Sequence, residues 1–313
     1  MLTARPWSDP SYAAAARLVT RQAGLTLKTV RRPAVESGIR RAMERADVPD
    51  IGEYINLLEA EPMALDDLVT ELTVGETYFF REPGHYEFLR REVLPDIRRR
   101  RGSGHTLRAW SAGCSTGEEA YSLAIVLEEE GLSEQAYLLG TDISRRALRA
   151  ARLARYRRWS FRGADDTVLG TYFRRISDTE LERRDQFELA ARFRRRVHFE
   201  YLNLALDTYP SLGTGTWGMD IIFCRNVLIY FDPHTNLSRK SRRPTNGSRR
   251  SSEVLWSDTS MSNWRSCFDR SAESRREEVE CPARKNPAAC RASHEDVEGN
   301  LRISTYPAGA FVT

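Results

Sequence analysis

Residues 108–124 read RAWSAGCSTGEEAYSLA, and this stretch limits the possible folds more than any other. The apolar run 107–111 enters a glycine-bounded turn, Gly113-Cys114-Ser115-Thr116-Gly117, and leaves it in a helical pattern. A strand, a glycine turn and a helix in that order predict a ligand at the turn, as in proteins that cradle phosphate on a helix N-terminus. Glu118 and Glu119 stand where the phosphate would go. A carboxylate there repels phosphate and attracts a cationic ligand end such as an amino group. Alternatively, Ser115-x-x-Glu118 or Thr116-x-x-Glu119 forms a capping box, a purely structural use of either acid.

Asp142 supplies a further acid. It ends the apolar run 136–141, about 25 residues beyond Gly117, close to the ~20-residue offset at which an acid holds ribose hydroxyls in βαβ nucleotide sites. An Asp before Ile-Ser also makes a plain helix cap. With the glycine turn, it points to S-adenosylmethionine, whose adenosine, amino group and sulfonium match an acid, an acid and a dry pocket.

Two more stretches bear on the same site. In LTVGETYFFR, Thr77 and Arg81 are four apart and share one side if helical; Arg81 can hold a carboxylate with two parallel hydrogen bonds, while Phe79 and Phe80 read as core. The run 219–231, MDIIFCRNVLIYF, reads as a buried strand ending in Arg225-Asn226, where a polar pair points at the ligand crevice of a parallel sheet. Asn226 either hydrogen-bonds adenine or simply turns the chain.

These stretches sit in a chain of changing texture. Residues 10–73 carry apolar positions at three- and four-residue spacing (Tyr54, Leu57, Leu58, then Leu65, Leu68, Val69, Leu72), which predicts a small all-helical domain over 1–75. Its Arg31, Arg32, Arg40, Arg41 and Arg45 form either a docking surface for an acidic helix or a solvated face. From 76 to 236 strands (107–111, 136–141, 219–224) alternate with helices (118–129, 145–155), the pattern of a Rossmann-like sheet. Short alternating runs at 172–176, 187–189 and 197–199 predict a small antiparallel β insert at about 165–200. The last 77 residues contain only ten Leu, Ile, Val or Phe and thirteen Ser, below what a core needs, so 237–313 is expected to be disordered.

Composition excludes some classes. No apolar run approaches the ~18 residues that span a bilayer, and no charged-then-apolar segment opens the chain, so a cytosolic protein is expected. Five cysteines (Cys114, Cys224, Cys267, Cys281, Cys290) without a CxxC pair predict free thiols and no metal site. Only three of the 48 basic residues are lysines (Lys28, Lys240, Lys285), a bias that fits coding composition as well as an acidic partner.

GETYFFRE, RAWSAGCSTGEEAYSLA, GTDIS and IIFCRNVLIYF, in this order behind a helical domain, resemble the CheR family of chemotaxis receptor glutamate O-methyltransferases over about residues 10–236. The resemblance implies a cytoplasmic enzyme that moves a methyl group from S-adenosylmethionine to glutamates on the cytoplasmic helices of methyl-accepting chemotaxis receptors, leaving S-adenosylhomocysteine. It would meet the membrane only through the receptor, with no nucleic-acid partner. By motif position it implies a cofactor site of Gly75, Thr77, Arg81, Glu118 or Glu119, Asp142, Asn203, Leu204, Asn226 and Val227; the family often carries Asn at the position of Gly75. The insert corresponds to the family's small β-subdomain. Arg81 and Tyr230 are assigned to orienting the substrate carboxylate; the alternatives are cofactor binding for Arg81 and core packing for Tyr230. After YFDP the family continues with a helix and two strands that complete the sheet, whereas this chain continues HTNLSRKSRRPTNGS. A frame shift near 235–241 with an open sheet edge is therefore expected, and the competing readings are a cofactor-binding module without turnover and a nucleic-acid methyltransferase using Arg145, Arg146, Arg149, Arg152 and Arg155.

Overall fold

A computed structural model describes residues 7–27, 32–73, 75–164, 166–176, 186–205, 207, 209–227 and 230–231, and the backbone of 253–257, 303–306 and 309–312. The chain opens with four helices: α1 (Pro10–Ala23), α2 (Arg32–Ala46), α3 (Ile51–Ala60) and α4 (Pro62–Leu72). Their ends are set by local chemistry. The Asp9 carboxylate accepts the Ser11 N–H before Pro10, α1 stops at Gly24 with φ 72°, and the Asp50 side chain accepts the Glu53 N–H to start α3. The apolar stripes meet where the spacing predicts, with Tyr54, Leu58, Leu68, Val69 and Leu72 buried. Four of the surface arginines are engaged: Arg41 and Arg45 pair with Glu71 and Asp67 of α4, and Arg32 and Arg40 lie over the Trp7 and Tyr12 rings. Arg31 lies outside the described residues.

A helical stretch, α5 (Pro83–Phe88) and α6 (Leu94–Arg101) joined by one wider turn, leads into the α/β domain. There β1 (Leu107–Ala112), α7 (Glu118–Glu129), β2 (Ala136–Asp142) and α8 (Arg145–Leu153) follow in the expected alternation. Next come β3 (Arg155–Arg157), α9 (Asp166–Tyr172), β4 (Phe173–Ile176), β5 (Gln186–Leu189), α10 (Ala191–Arg194), β6 (Val197–Tyr201) and β7 (Ile221–Arg225). The main sheet has the order β6-β2-β1-β7 with all four strands parallel, so the order reverses beside β1, the place where such sheets open a ligand crevice.

Successive residues of a strand face opposite sides, and here both sides are buried. Ala109, Ile221 and Phe223 join α7 and the insert in one core, while Trp110, Ile222 and Cys224 join the helical domain in the other. The helical domain is thus one of the sheet's two covers. Cys114 and Cys224 are buried and form no disulfide among the described residues; Cys267, Cys281 and Cys290 lie outside the described residues.

Three expectations are corrected. Val197–Tyr201 is no part of the insert, because β6 pairs parallel with β2 in the main sheet. The insert is instead β3-β5-β4, beginning at Arg155, where helix was expected to reach; Ala154, with φ 51°, ends α8 one residue earlier. The sheet edge beside β7 is also not open: β8 (Glu253–Ser257) pairs parallel with it, and β10 (Gly309–Val312) and β9 (Ile303–Tyr306) extend the sheet beyond. Composition averaged over 77 residues hid short runs such as EVLWS and GAFV, which are rich in strand-forming residues. The rest of 237–313 lies outside the described residues.

The insert is held to the loop before α5 by Phe79, which is fully buried, stacks on Phe161 at 5.1 Å and meets Tyr156 and Phe173 edge-on at 4.9 Å. Phe79→Ala is expected to cost about 3–5 kcal/mol of unfolding free energy, measured by urea denaturation.

Candidate functional site

A cavity of about 430 Å³ opens at the carboxyl ends of β1, β2 and β7, within the range of ordinary small-ligand sites of ~300–1,000 Å³. Gly75, Thr77, Arg81, Glu119, Asp142, Asn203, Leu204, Asn226, Val227 and Tyr230 all line it, and Glu118 does not. Thr77 and Arg81 arrive there without a helix. Residues 75–82 form a strap with a tight turn in which Phe80 (φ 54°) and Glu82 (φ 56°) are left-handed.

The glycine turn answers the question of charge that its glutamates pose. The N–H groups of Gly113 and Cys114 both donate to the Thr141 carbonyl, that of Ser115 to Asp142 Oδ2 at 2.8 Å, and that of Gly117 to the Cys114 carbonyl. Four of the turn's five N–H groups are therefore already committed inside the protein. Gly113 itself is obligatory for space as well as for its φ of 78°: a Cβ there would lie 2.3 Å from Val227 Cγ2. At Gly75 the strap crosses the turn so closely that a Cβ would lie 3.1 Å from Ser115 Oγ.

Neither capping box forms; the N-cap is Gly117, with no side-chain bond. Consecutive helix residues point about 100° apart, so only one glutamate can face the cavity. Glu118 turns away from the cavity and accepts from Thr116 Oγ1 at 2.6 Å and Ser160 Oγ at 3.0 Å, leaving Glu119 as the glutamate that lines it. Glu119 faces inward, accepting from Ser111 Oγ at 2.7 Å and pairing with Arg225 Nη1 at 3.3 Å. Asp142 ties the turn to the next helix, with Oδ2 on the Ser115 N–H and Oδ1 on the Ser144 N–H, both at 2.8 Å. Burial pushes the carboxyls of Glu119 and Asp142 above the ordinary range; Arg225 opposes this for Glu119, and the two backbone N–H groups oppose it for Asp142.

Other lining groups come from the helical domain, a contribution the sequence pattern did not signal. Leu25, Thr70 and Thr73 line the cavity. Thr70 Oγ1 lies 2.7 Å from Ser144 Oγ, and since Thr70 donates to the Asp66 carbonyl, Ser144 is the donor of that pair. Asn203 spans the same seam: its Nδ2 donates to the Ala23 carbonyl at 2.9 Å and its Oδ1 accepts the Ala205 N–H. The Thr26 N–H donates to the Tyr230 carbonyl at 2.7 Å. Arg225 was legible only as half of a polar pair. In the structure its side chain is 2% exposed and its Nε has no hydrogen-bond partner among the described residues. A buried donor left over in this way costs about 1–3 kcal/mol.

Sequence comparison decides the family. Residues 10–73 match the family described as CheR methyltransferase, all-alpha domain, and residues 75–239 match CheR methyltransferase, SAM binding domain. The chain belongs to the CheR methyltransferase family. It is 31% identical over 234 residues to a chemotaxis protein methyltransferase of Borreliella burgdorferi, covering 72% of this chain and 79% of that one. It is 33% identical over 216 residues to chemotaxis protein methyltransferase 1 of Pseudomonas aeruginosa, covering 66% and 74%. A probable biofilm formation methyltransferase, WspC, of the same organism is 37% identical over 223 residues, 70% of this chain and 50% of its own length.

As a CheR-family member the chain is a methyltransferase that uses S-adenosylmethionine. The cavity fits that group: two buried carboxylates suit a cationic nucleoside, the occupied turn N–H groups disfavour phosphate, and Leu202, Ile143, Val227 and Phe231 supply apolar walls. Gly113→Ala is expected to weaken S-adenosylmethionine binding by at least about 10-fold, read by isothermal titration calorimetry, because the added methyl displaces Val227.

Proposed function

We propose that this chain transfers methyl groups to glutamate side chains of methyl-accepting chemotaxis receptors in the cytoplasm, giving glutamate methyl esters. The observation that carries the reading is a single cavity with carboxylates, Glu119 and Asp142, on its floor and Arg81 and Tyr230 in its lining. The names of the relatives from B. burgdorferi and P. aeruginosa support the receptor as substrate. When bound, S-adenosylmethionine supplies a methyl on a sulfonium, which a carboxylate oxygen takes as the C–S bond breaks and its electron pair stays on sulfur. A glutamate is already ionised at neutral pH, so the protein needs no general base. The work of the residues is placement. Glu119 holds the cofactor's ammonium, Asp142 its ribose hydroxyls, and Thr77, Asn226 and Val227 border the nucleoside. Arg81 and Tyr230 orient the incoming carboxylate. The apolar walls exclude water, and good orientation alone is worth ~7–11 kcal/mol of barrier.

Labelled methyl from S-adenosylmethionine is expected to enter receptor-containing membranes as base-labile esters that release methanol; absence of base-labile label would overturn the receptor reading. The two raised carboxyls also set a pH dependence. An ammonium ligand selects ionised carboxylates, so cofactor affinity should be full above the raised pKa of Glu119. It should fall as the pH drops through the raised pKa of Glu119, a loss that begins above the ordinary value of 4.5. Glu119→Gln should weaken binding by at least about 10-fold at pH 7 and remove most of that dependence, measured by calorimetry across pH 5–8.

A further inference from the structure

We propose that Arg225 is a positioning residue for methyl transfer, one arm of its guanidinium fixing the Glu119 carboxylate and the other fixing the turn that carries Arg81. The side chain leaves the end of β7, a strand buried along its whole length, so its base cannot wander. Nη1 lies 3.3 Å from Glu119 Oε2, and Nη2 donates to the Arg81 carbonyl at 2.7 Å and lies 3.4 Å from Glu82 Oε2. The Arg81 carbonyl sits between Phe80 and Glu82, the two non-glycine residues of the strap with left-handed φ. A strained turn keeps its shape only when the surroundings over-determine it. Here the Phe80 N–H donates to Ser122 Oγ at 3.0 Å on one side, and Arg225 closes the other. Arginine suits this task because its rigid fork offers donors to two acceptors at a fixed angle, which a lysine ammonium on a flexible stem does not.

The electrostatics agree with the geometry. Glu119 faces Arg225 from β7, Arg81 and Glu82 from the strap, Tyr86 from α5 and Cys114 from the glycine turn, and Asp142 of β2 lines the same cavity. His85, also buried beside this cluster, is pushed down to about 4 by burial, with Arg225 adding to the effect, and is neutral at pH 7. Burial works against the Arg225 charge, but Glu119, Tyr86 and Glu82 outweigh it and keep the guanidinium protonated. Arg225 thus opposes the burial that raises the Glu119 carboxyl, and ties that carboxylate to the position of Arg81.

The inference rests on the cofactor site and not on the receptor as substrate, so its first readout is binding of S-adenosylhomocysteine followed by calorimetry between pH 5 and 8. Arg225→Gln is expected to move the pH at which affinity is lost upward by about one unit and to raise Kd at pH 7 by about 10-fold. In a Glu119→Gln background the same change should leave the pH profile where Glu119→Gln alone puts it. Arg225→Lys restores a charge without the fork. It should recover the pH midpoint while kcat for labelled methyl transfer to receptor membranes stays at least about 10-fold down. A purely packing role would lower thermal stability and leave the midpoint in place. An unchanged midpoint in Arg225→Gln, or full recovery of both Kd and kcat in Arg225→Lys, overturns the proposal. If Arg225→Gln fails to fold, the Arg225→Lys midpoint and kcat decide alone. If wild-type protein binds S-adenosylhomocysteine but methylates no receptor, the receptor reading fails while the pH arm still tests Arg225.

Discussion

A parallel sheet buried on both faces has to be covered twice, and the rest of this structure follows from that requirement. Along β7 every residue is buried, with Ile221 and Phe223 turned to one core and Ile222 and Cys224 to the other. Helix α7 and the β insert supply one cover. The other comes from the four N-terminal helices, whose Leu18, Ile39, Leu58 and Leu68 share a core with Trp110 and Leu139 of the sheet. The helical domain is thereby more than an appendage. It roofs the crevice at the strand ends, and residues on its last helix, such as Thr70, become lining of the cofactor cavity.

How far this was visible in the sequence depended on whether the signal was local. The glycine turn, Asp142 at a strand end and the polar pair Arg225-Asn226 after the buried run at 219–224 are each marked by residue type at a fixed offset, and all stand at the cavity. The choice between Glu118 and Glu119 was not marked, because it depends on where the helix begins. Once Gly117 is the N-cap, the angle between neighbours sends Glu118 to Ser160 and Glu119 to Ser111. Contacts between distant segments were less legible still. Nothing near Asn203 announces that its amide binds the Ala23 carbonyl 180 residues away. Val197–Tyr201 alternates as an insert strand would, and only its pairing partner, β2, places it in the main sheet. The strands β8, β9 and β10 were hidden for a different reason, since their short runs were averaged with a long polar tail.

The seam between the two domains is polar, and its chemistry links the outer face to the cavity. Glu71 of α4 is shared by Arg41 and Arg45 of α2 and by Arg146 of α8, at 2.7, 3.1 and 2.6 Å. Its neighbour Asp66 takes Arg145 at 3.2 Å. Isolated exposed pairs of this kind are worth little, about 0.2–1 kcal/mol each, so the network does not explain why the domains adhere; the shared core does that. What the network supplies is geometry. Glu71 is only 11% exposed and is shared by cations of both domains, one of which, Arg146, lines the cavity. Next to it, Ser144 caps α8 with its oxygen, donates its proton to Thr70 and gives its backbone N–H to Asp142. One serine therefore joins the helical domain, the start of α8 and the carboxylate of the cofactor site. In this fold the four-helix cover and Asp142 are joined through the side chain and backbone of Ser144.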